Sequence, residues 1–144
     1  MSDRWASVRP FSNVAGTVVK LVPPINKAIV LVVEDDSILR FLAVEFIEDA
    51  GFEAIEAESA DDAIAILETR ADVRIVFTDV DMPGGMDGLK LAAAVRDRWP
   101  PIEIVIVSGH PRKNTSLPDR AVFFPKPYDV TIVAATLHRM AAIV

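Results

Sequence analysis

Four short apolar runs of this chain end in side chains that handle phosphate and divalent cations. The run Ala28–Val33 delivers Glu34, Asp35 and Asp36, and Arg74–Thr78 delivers Asp79. Ile102–Val107 delivers Ser108 and Gly109, and Ala121–Pro125 delivers Lys126. Carboxylates brought within several Å of one another repel, at roughly a few kcal/mol per close pair in an intermediate dielectric. A hard divalent cation relieves that repulsion, and Mg²⁺ takes one or two carboxylates together with carbonyls, phosphate oxygens and water. Asp35 and Asp79 are the expected direct ligands and Glu34 acts through water. The backbone carbonyl of Asp81, two residues past Asp79, is a further candidate. A carboxylate can also be a nucleophile, with aspartyl phosphate as the covalent product. In that chemistry Lys126 neutralises one phosphoryl oxygen and the Ser108 hydroxyl donates to another. Gly109 leaves the end of its strand open to the incoming group.

The composition narrows the field. A chain of 144 residues makes about one domain. With 15 basic and 21 acidic residues the net charge is −6, which argues against direct binding to nucleic acid. There is no cysteine, which excludes disulfides and thiolate metal sites, and His110 and His138 are too few for a histidine-rich zinc centre. No segment reaches the roughly 18–20 apolar residues of a membrane span. The N-terminus has no convincing signal peptide. The expected location is the cytoplasm, with no membrane partner.

The catalytic types need strands to carry them. Residues 1–27 contain Pro10, Pro23 and Pro24, show no sustained period, and read as a loosely ordered N-terminal arm. From residue 28 to 144 apolar runs alternate with helical periods. Strands are expected at Ala28–Val33, Phe52–Ala57, Arg74–Thr78, Ile102–Val107 and Ala121–Phe124. Helices are expected at about 37–50, 60–69, 88–98 and 128–142, capped by Asp36 or Ser37, by Ser59 and by Asp87. The first helix should turn Leu39, Leu42, Ala43, Phe46 and Ala50 inward, and the second Ile64 and Leu67. The third should bury Leu89, Ala92 and Val95. The last should bury Val130, Val133, Ala134, Leu137 and Met140. Such alternation implies a parallel sheet with helices on both faces. The order 2-1-3-4-5 sets strands one and three side by side and gathers Glu34, Asp35 and Asp79 beyond their carboxyl ends.

From about residue 28 onward the chain resembles the receiver domain of two-component response regulators. The matching residues are Leu31-Val32-Val33-Glu34-Asp35-Asp36, Thr78-Asp79-Val80-Asp81-Met82-Pro83, Met86-Asp87-Gly88, Val107-Ser108-Gly109 and Lys126-Pro127, in the family's order. The resemblance implies a single flavodoxin-like (βα)5 domain. It also implies that Asp79 is the phosphoacceptor, Glu34 and Asp35 the acidic pocket, Ser108 the switch hydroxyl and Lys126 the phosphate-binding lysine. In such settings the bond before Pro127 is often cis. The chain departs from the family's pattern in four places. Ser108 stands where threonine is commoner. The switch aromatic is Phe123, which lacks a phenolic hydroxyl. The loop Pro83-Gly84-Gly85-Met86 is one residue longer. Only 17 residues separate Ser108 from Lys126, so the fourth helix should be short or irregular.

The resulting expectation is a stand-alone, single-domain phosphorylation switch. It takes a phosphoryl group from a sensor histidine kinase or histidine phosphotransfer protein and signals to a downstream protein not identified by the sequence. It is not expected to be a turnover enzyme. A homodimer is open to it, as isologous pairing is common among receivers. The rim residue His110 reads first as a solvated loop histidine; the sharper alternative is that His110 and Asp81, which flank the phosphoryl approach, tune hydrolysis of the acyl phosphate. The alternative is a small phosphohydrolase of the haloacid-dehalogenase type, whose Asp-x-Asp motif Asp79-Val80-Asp81 resembles.

Overall fold

The computed structural model describes residues 27–83, 85–110 and 117–142. Its strands are β1 (Ile29–Val33), β2 (Glu53–Ala57), β3 (Val73–Asp79), β4 (Glu103–Ser108) and β5 (Ala121–Pro125). Among the described residues the helices are α1 (Ser37–Asp49), α2 (Ala60–Thr69), α3 (Gly88–Arg98) and α4 (Val130–Ala141). All strand pairs are parallel and the order is β2-β1-β3-β4-β5. This is the doubly wound flavodoxin-like sheet that strand–helix alternation predicted. The N-terminal arm lies outside the described residues except for Lys27. So do residues 111–116, on which much of the expectation about an irregular fourth helix falls.

Why the strands read as unbroken apolar runs is now plain. In β1, Ile29, Leu31 and Val33 face a core shared with α2 and α3. The alternate residues Val30 and Val32 face a second core with α1 and α4. Both faces of the central strands are covered, so their side chains are mostly apolar. Asp36, Ser59, Asp87 and Asp129 cap the four helices, each accepting from backbone N–H groups of the first turn. No described helix is long and apolar enough to cross a membrane.

The first helix is rotated relative to the sequence reading, whereas α3 buries Ala92 and Val95 and α4 buries Val133, Leu137 and Met140 as expected, with changes at single positions. In α1, Ala43 and Ile47 face the sheet, while Leu39 and Leu42 are 45% and 54% exposed. Arg40 explains the rotation. Its guanidinium donates to the Glu34 carbonyl at 2.8 Å and to Glu56 Oε1 at 3.0 Å, which pins one side of the helix to the sheet's edge. In α3, Leu91 is buried with Ala92 and Val95, and Leu89 is only half-buried. This stripe runs from Gly88, which is buried against the end of β3. In α4, Val130 is exposed because it is the first helical residue after the cap, before the helix reaches the core. Thr136 takes an inward position instead, its hydroxyl satisfied by the Ile132 carbonyl at 3.2 Å. Ile64 and Ala134 are half-buried.

Candidate functional site

At the carboxyl edge of the sheet the backbone ladder continues just past the strands and sets the site residues in place. The Glu34 N–H donates to the Ala57 carbonyl, and the Val80 N–H to the Val107 carbonyl. The Lys126 N–H donates to the Ser108 carbonyl at 2.8 Å. Glu34, Asp79, Ser108 and Lys126 are thereby aligned across four neighbouring strand ends. Glu34, Asp35 and Asp79 each offer a carboxylate oxygen, and these atoms lie within 4.8 Å of one another. Glu34 and Asp79 are buried and Asp35 is exposed. The Lys126 ammonium stands 3.4 Å from Glu34 Oε1 and 3.5 Å from Asp79 Oδ2.

One lysine faces three carboxylates, so the pocket keeps a surplus of negative charge. Burial pushes the Glu34 carboxyl above its ordinary value. The hydrogen bond from the Asp36 N–H opposes that rise, the neighbouring Asp35 and Asp79 add to it, and Lys126 works against it. Burial also raises the Tyr128 phenol, with help from the charges of Glu34 and Asp79. Asp79 Oδ2 has its lysine, but Asp79 Oδ1 is buried with no hydrogen-bond partner. A buried carboxylate oxygen left unpaired is costly, which marks the place where a cation or a reacting group belongs. The donor set, all hard oxygen, suits Mg²⁺.

The other expected residues fall around this pocket. Ser108 Oγ donates to Asp81 Oδ2 at 3.2 Å and accepts from the His110 N–H at 3.1 Å. His110 Nε2 lies 3.8 Å from the same Asp81 oxygen, and both side chains are exposed. Gly109 is open, since a Cβ there would find its nearest neighbour, Lys126 Cβ, at 4.0 Å. The Lys126–Pro127 bond is cis, as the motif suggested. Phe123 is half-buried against the core on the α2 and α3 side of the sheet.

Three residues that hold the site escaped sequence reasoning or were undervalued. Arg40 clamps the Glu34 carbonyl, and its signal was visible: it is the sole basic residue between positions 28 and 69. Gly88, expected only as the start of the third helix, has a further role. A Cβ there would collide with the Asp79 carbonyl oxygen and approach the Asp79 carbonyl carbon and Val80 Cα at 2.8 Å. Only glycine lets α3 start this close beneath the candidate nucleophile. Tyr128, which precedes α4, packs its ring on Phe46 of α1 and Phe77 of β3, with centroids 5.8 and 6.0 Å away. Nothing in the local sequence pattern pairs these three aromatics.

A family model described as the response regulator receiver domain matches residues 30–118, well over half the chain. The chain belongs to that family. The receiver domain is 33% identical over 120 residues to the sensor kinase CckA of Brucella abortus, covering 80% of this chain and 13% of that protein. It is 28% identical over 118 residues to the transcriptional regulator NtrC of Salmonella typhimurium, covering 79% of this chain and 25% of that protein. The receiver domain thus spans a quarter or less of the length of these relatives. Among solved structures, a response regulator receiver protein from Sinorhizobium medicae superposes with a TM-score of 0.71 at 27% identity. That match covers 81% of this chain and 96% of the other. As a receiver domain, the protein is a component of two-component signalling.

Proposed function

We propose that this receiver domain accepts a phosphoryl group from a phosphohistidine onto Asp79 and transmits the change to a protein partner. The observation that carries the reading is Asp79 itself. One of its oxygens is paired with Lys126, and the other is buried, unpaired and beside two further carboxylates. Glu34, Asp35, Asp79 and the Asp81 backbone carbonyl would hold Mg²⁺, which when bound supplies positive charge for the phosphoryl oxygens.

The remaining steps belong to the chain. Lys126 holds one phosphoryl oxygen and orients the carboxylate, and the Ser108 hydroxyl donates to another. An Asp79 oxygen forms the new bond to phosphorus as the bond to the donor imidazole nitrogen breaks. Gly109 keeps the approach clear. Phosphorylation places close to two extra negative charges beside Lys126 and Ser108, biasing a two-state equilibrium of the rim. Phe123 moves without a phenolic hydroxyl to anchor it, so its part in the response rests on packing.

A sensor histidine kinase or a histidine phosphotransfer protein is the proposed donor. Exposed Ile38, Leu39, Phe41 and Leu42 on the first turns of α1, next to Asp35 and Asp36, support a protein docking there. The downstream partner is a protein rather than nucleic acid. The cytoplasm is the proposed location, and a homodimer is compatible with the fold. The protein is not proposed to turn over an external substrate.

Intact mass after incubation with acetyl phosphate and Mg²⁺ tests the proposal. One added phosphate in the parent and none in Asp79→Asn supports it. Catalytic turnover of a small phosphate ester, without stoichiometric labelling, would instead favour the dehalogenase-type phosphohydrolase.

A further inference from the structure

The proposed function gives the Ser108 hydroxyl to a phosphoryl oxygen, yet in this structure that hydroxyl is engaged elsewhere. It has one proton and two acceptors within reach, the Asp81 carboxylate at 3.2 Å and the His110 carbonyl at 3.4 Å. The charged acceptor is both nearer and stronger. A lone pair of the same oxygen receives the His110 N–H at 3.1 Å. Meanwhile Asp79 Oδ1 is buried without any hydrogen-bond partner. The proton of the hydroxyl is therefore engaged by Asp81, while Asp79 Oδ1, a buried oxygen of the pocket, has no donor.

We infer that the Asp81 side chain is a latch, a positioning residue that holds Ser108 in its unphosphorylated setting. Register makes this contact natural. Asp79 pairs with Val107 across β3 and β4, so Asp81 and Ser108 leave adjacent strand ends together. Serine lacks the second Cβ substituent that stiffens threonine, so its hydroxyl swings between two acceptors by a single χ1 rotation. When a phosphoryl group arrives, its oxygens compete with Asp81 for that proton. The latch opens if they win. The strength of the Asp81–Ser108 bond thus sets how far the rim equilibrium lies toward the unphosphorylated form. His110 completes the latch through its backbone, and its ring lies 3.8 Å from Asp81 on the outer side.

This inference rests on Asp79 being the phosphoacceptor, and the test separates the two. Mg²⁺ and beryllofluoride are titrated into the parent, Asp81→Ala and Asp81→Asn by calorimetry, each with Ser108 present and with Ser108→Ala. The Asp81 backbone carbonyl is kept in all of them. Both Asp81 substitutions remove the charge, but asparagine retains an oxygen that accepts from Ser108. With Ser108 present, Asp81→Ala should bind several-fold tighter than Asp81→Asn, because a hydrogen bond is lost only in the former. With Ser108→Ala the difference should collapse to within about twofold. An equal difference in both backgrounds, or no difference in either, overturns the latch.

A second readout needs neither metal nor anion. In the free protein the His110 amide should exchange faster with solvent in Asp81→Ala than in Asp81→Asn, since the serine that accepts from it is no longer held. Equal exchange in the two variants counts against the latch. If the folded parent binds no beryllofluoride, the phosphoacceptor reading fails, and the exchange measurement decides the latch alone.

Discussion

The two halves of the pocket are held by different means. The acidic half, Glu34 and Asp79, is buried and fixed by backbone. The Glu34 carboxylate accepts from the Asp36 N–H at 3.1 Å, its carbonyl is clamped by Arg40, and Asp79 lies directly over Gly88. In the rim half Ser108 is buried too, but its partners Asp81 and His110 are exposed, so the side-chain bonds that hold it can be exchanged. The proposed function, an ion bound and a change of shape on phosphorylation, calls for both. The rigid half keeps like charges together at a standing cost. In the proposed function the exchangeable half would report what has arrived.

That contrast can be broken from the rigid side first. Gly88→Ala should destabilise the protein by about 3 kcal/mol, because the new methyl meets β3 backbone that cannot yield like a side chain. Urea unfolding measures this, and an unchanged midpoint would mean that α3 tolerates a shift. Arg40→Ala should cost about 2 kcal/mol, since it strips the Glu34 carbonyl of its donor and leaves Glu56 without its closest cation. The same denaturation assay applies, and a loss under roughly 0.5 kcal/mol would assign Arg40 to the surface.

Glu34 offers a test by pH. Its folded carboxyl titrates above the ordinary 4.5, chiefly because of burial. The unfolded chain therefore holds the ionised form more easily, and the stability tied to protonated Glu34 is complete below about 4.5 and fades as pH rises through the folded value. Glu34→Gln should accordingly be more stable than the parent at pH 7 in the absence of Mg²⁺, with the gain shrinking on acidification. A gain that grows at low pH has the wrong sign for this account. Ser108→Ala is the smallest effect on stability, about 0.5–1 kcal/mol, because the partner it leaves, the Asp81 carboxylate, is exposed and can turn to water. A loss as large as that of Gly88→Ala would erase the distinction between the halves.

The alternation of apolar runs and helical periods made the sheet and its order legible, because burying both faces of a parallel sheet leaves little freedom of composition. Asp79, Lys126 and the pair Glu34-Asp35 were legible for a related reason: polar groups that end buried strands have a single edge to occupy. The rotation of α1 was not legible. Leu39, Leu42, Ala43, Ile47 and Phe46 offer two overlapping apolar stripes. The choice between them was made by Arg40, a long-range contact with Glu34 and Glu56 that no local period encodes. Gly88 was likewise invisible, since what it avoids is the backbone of a strand nine residues back in the chain. The Asp81–Ser108 bond joins residues 27 apart and became evident only once β3 and β4 were paired.

In the proposed function the Asp79 carboxylate is the group that receives phosphate. Borohydride reduction of the acetyl-phosphate-treated protein, followed by peptide mapping, tests it at residue level. An acyl phosphate at Asp79 is reduced to homoserine, and that conversion at position 79, dependent on Mg²⁺, is the predicted result. Conversion at Asp35 or Asp81 instead, or none in a folded protein that retains Mg²⁺ binding, would contradict it.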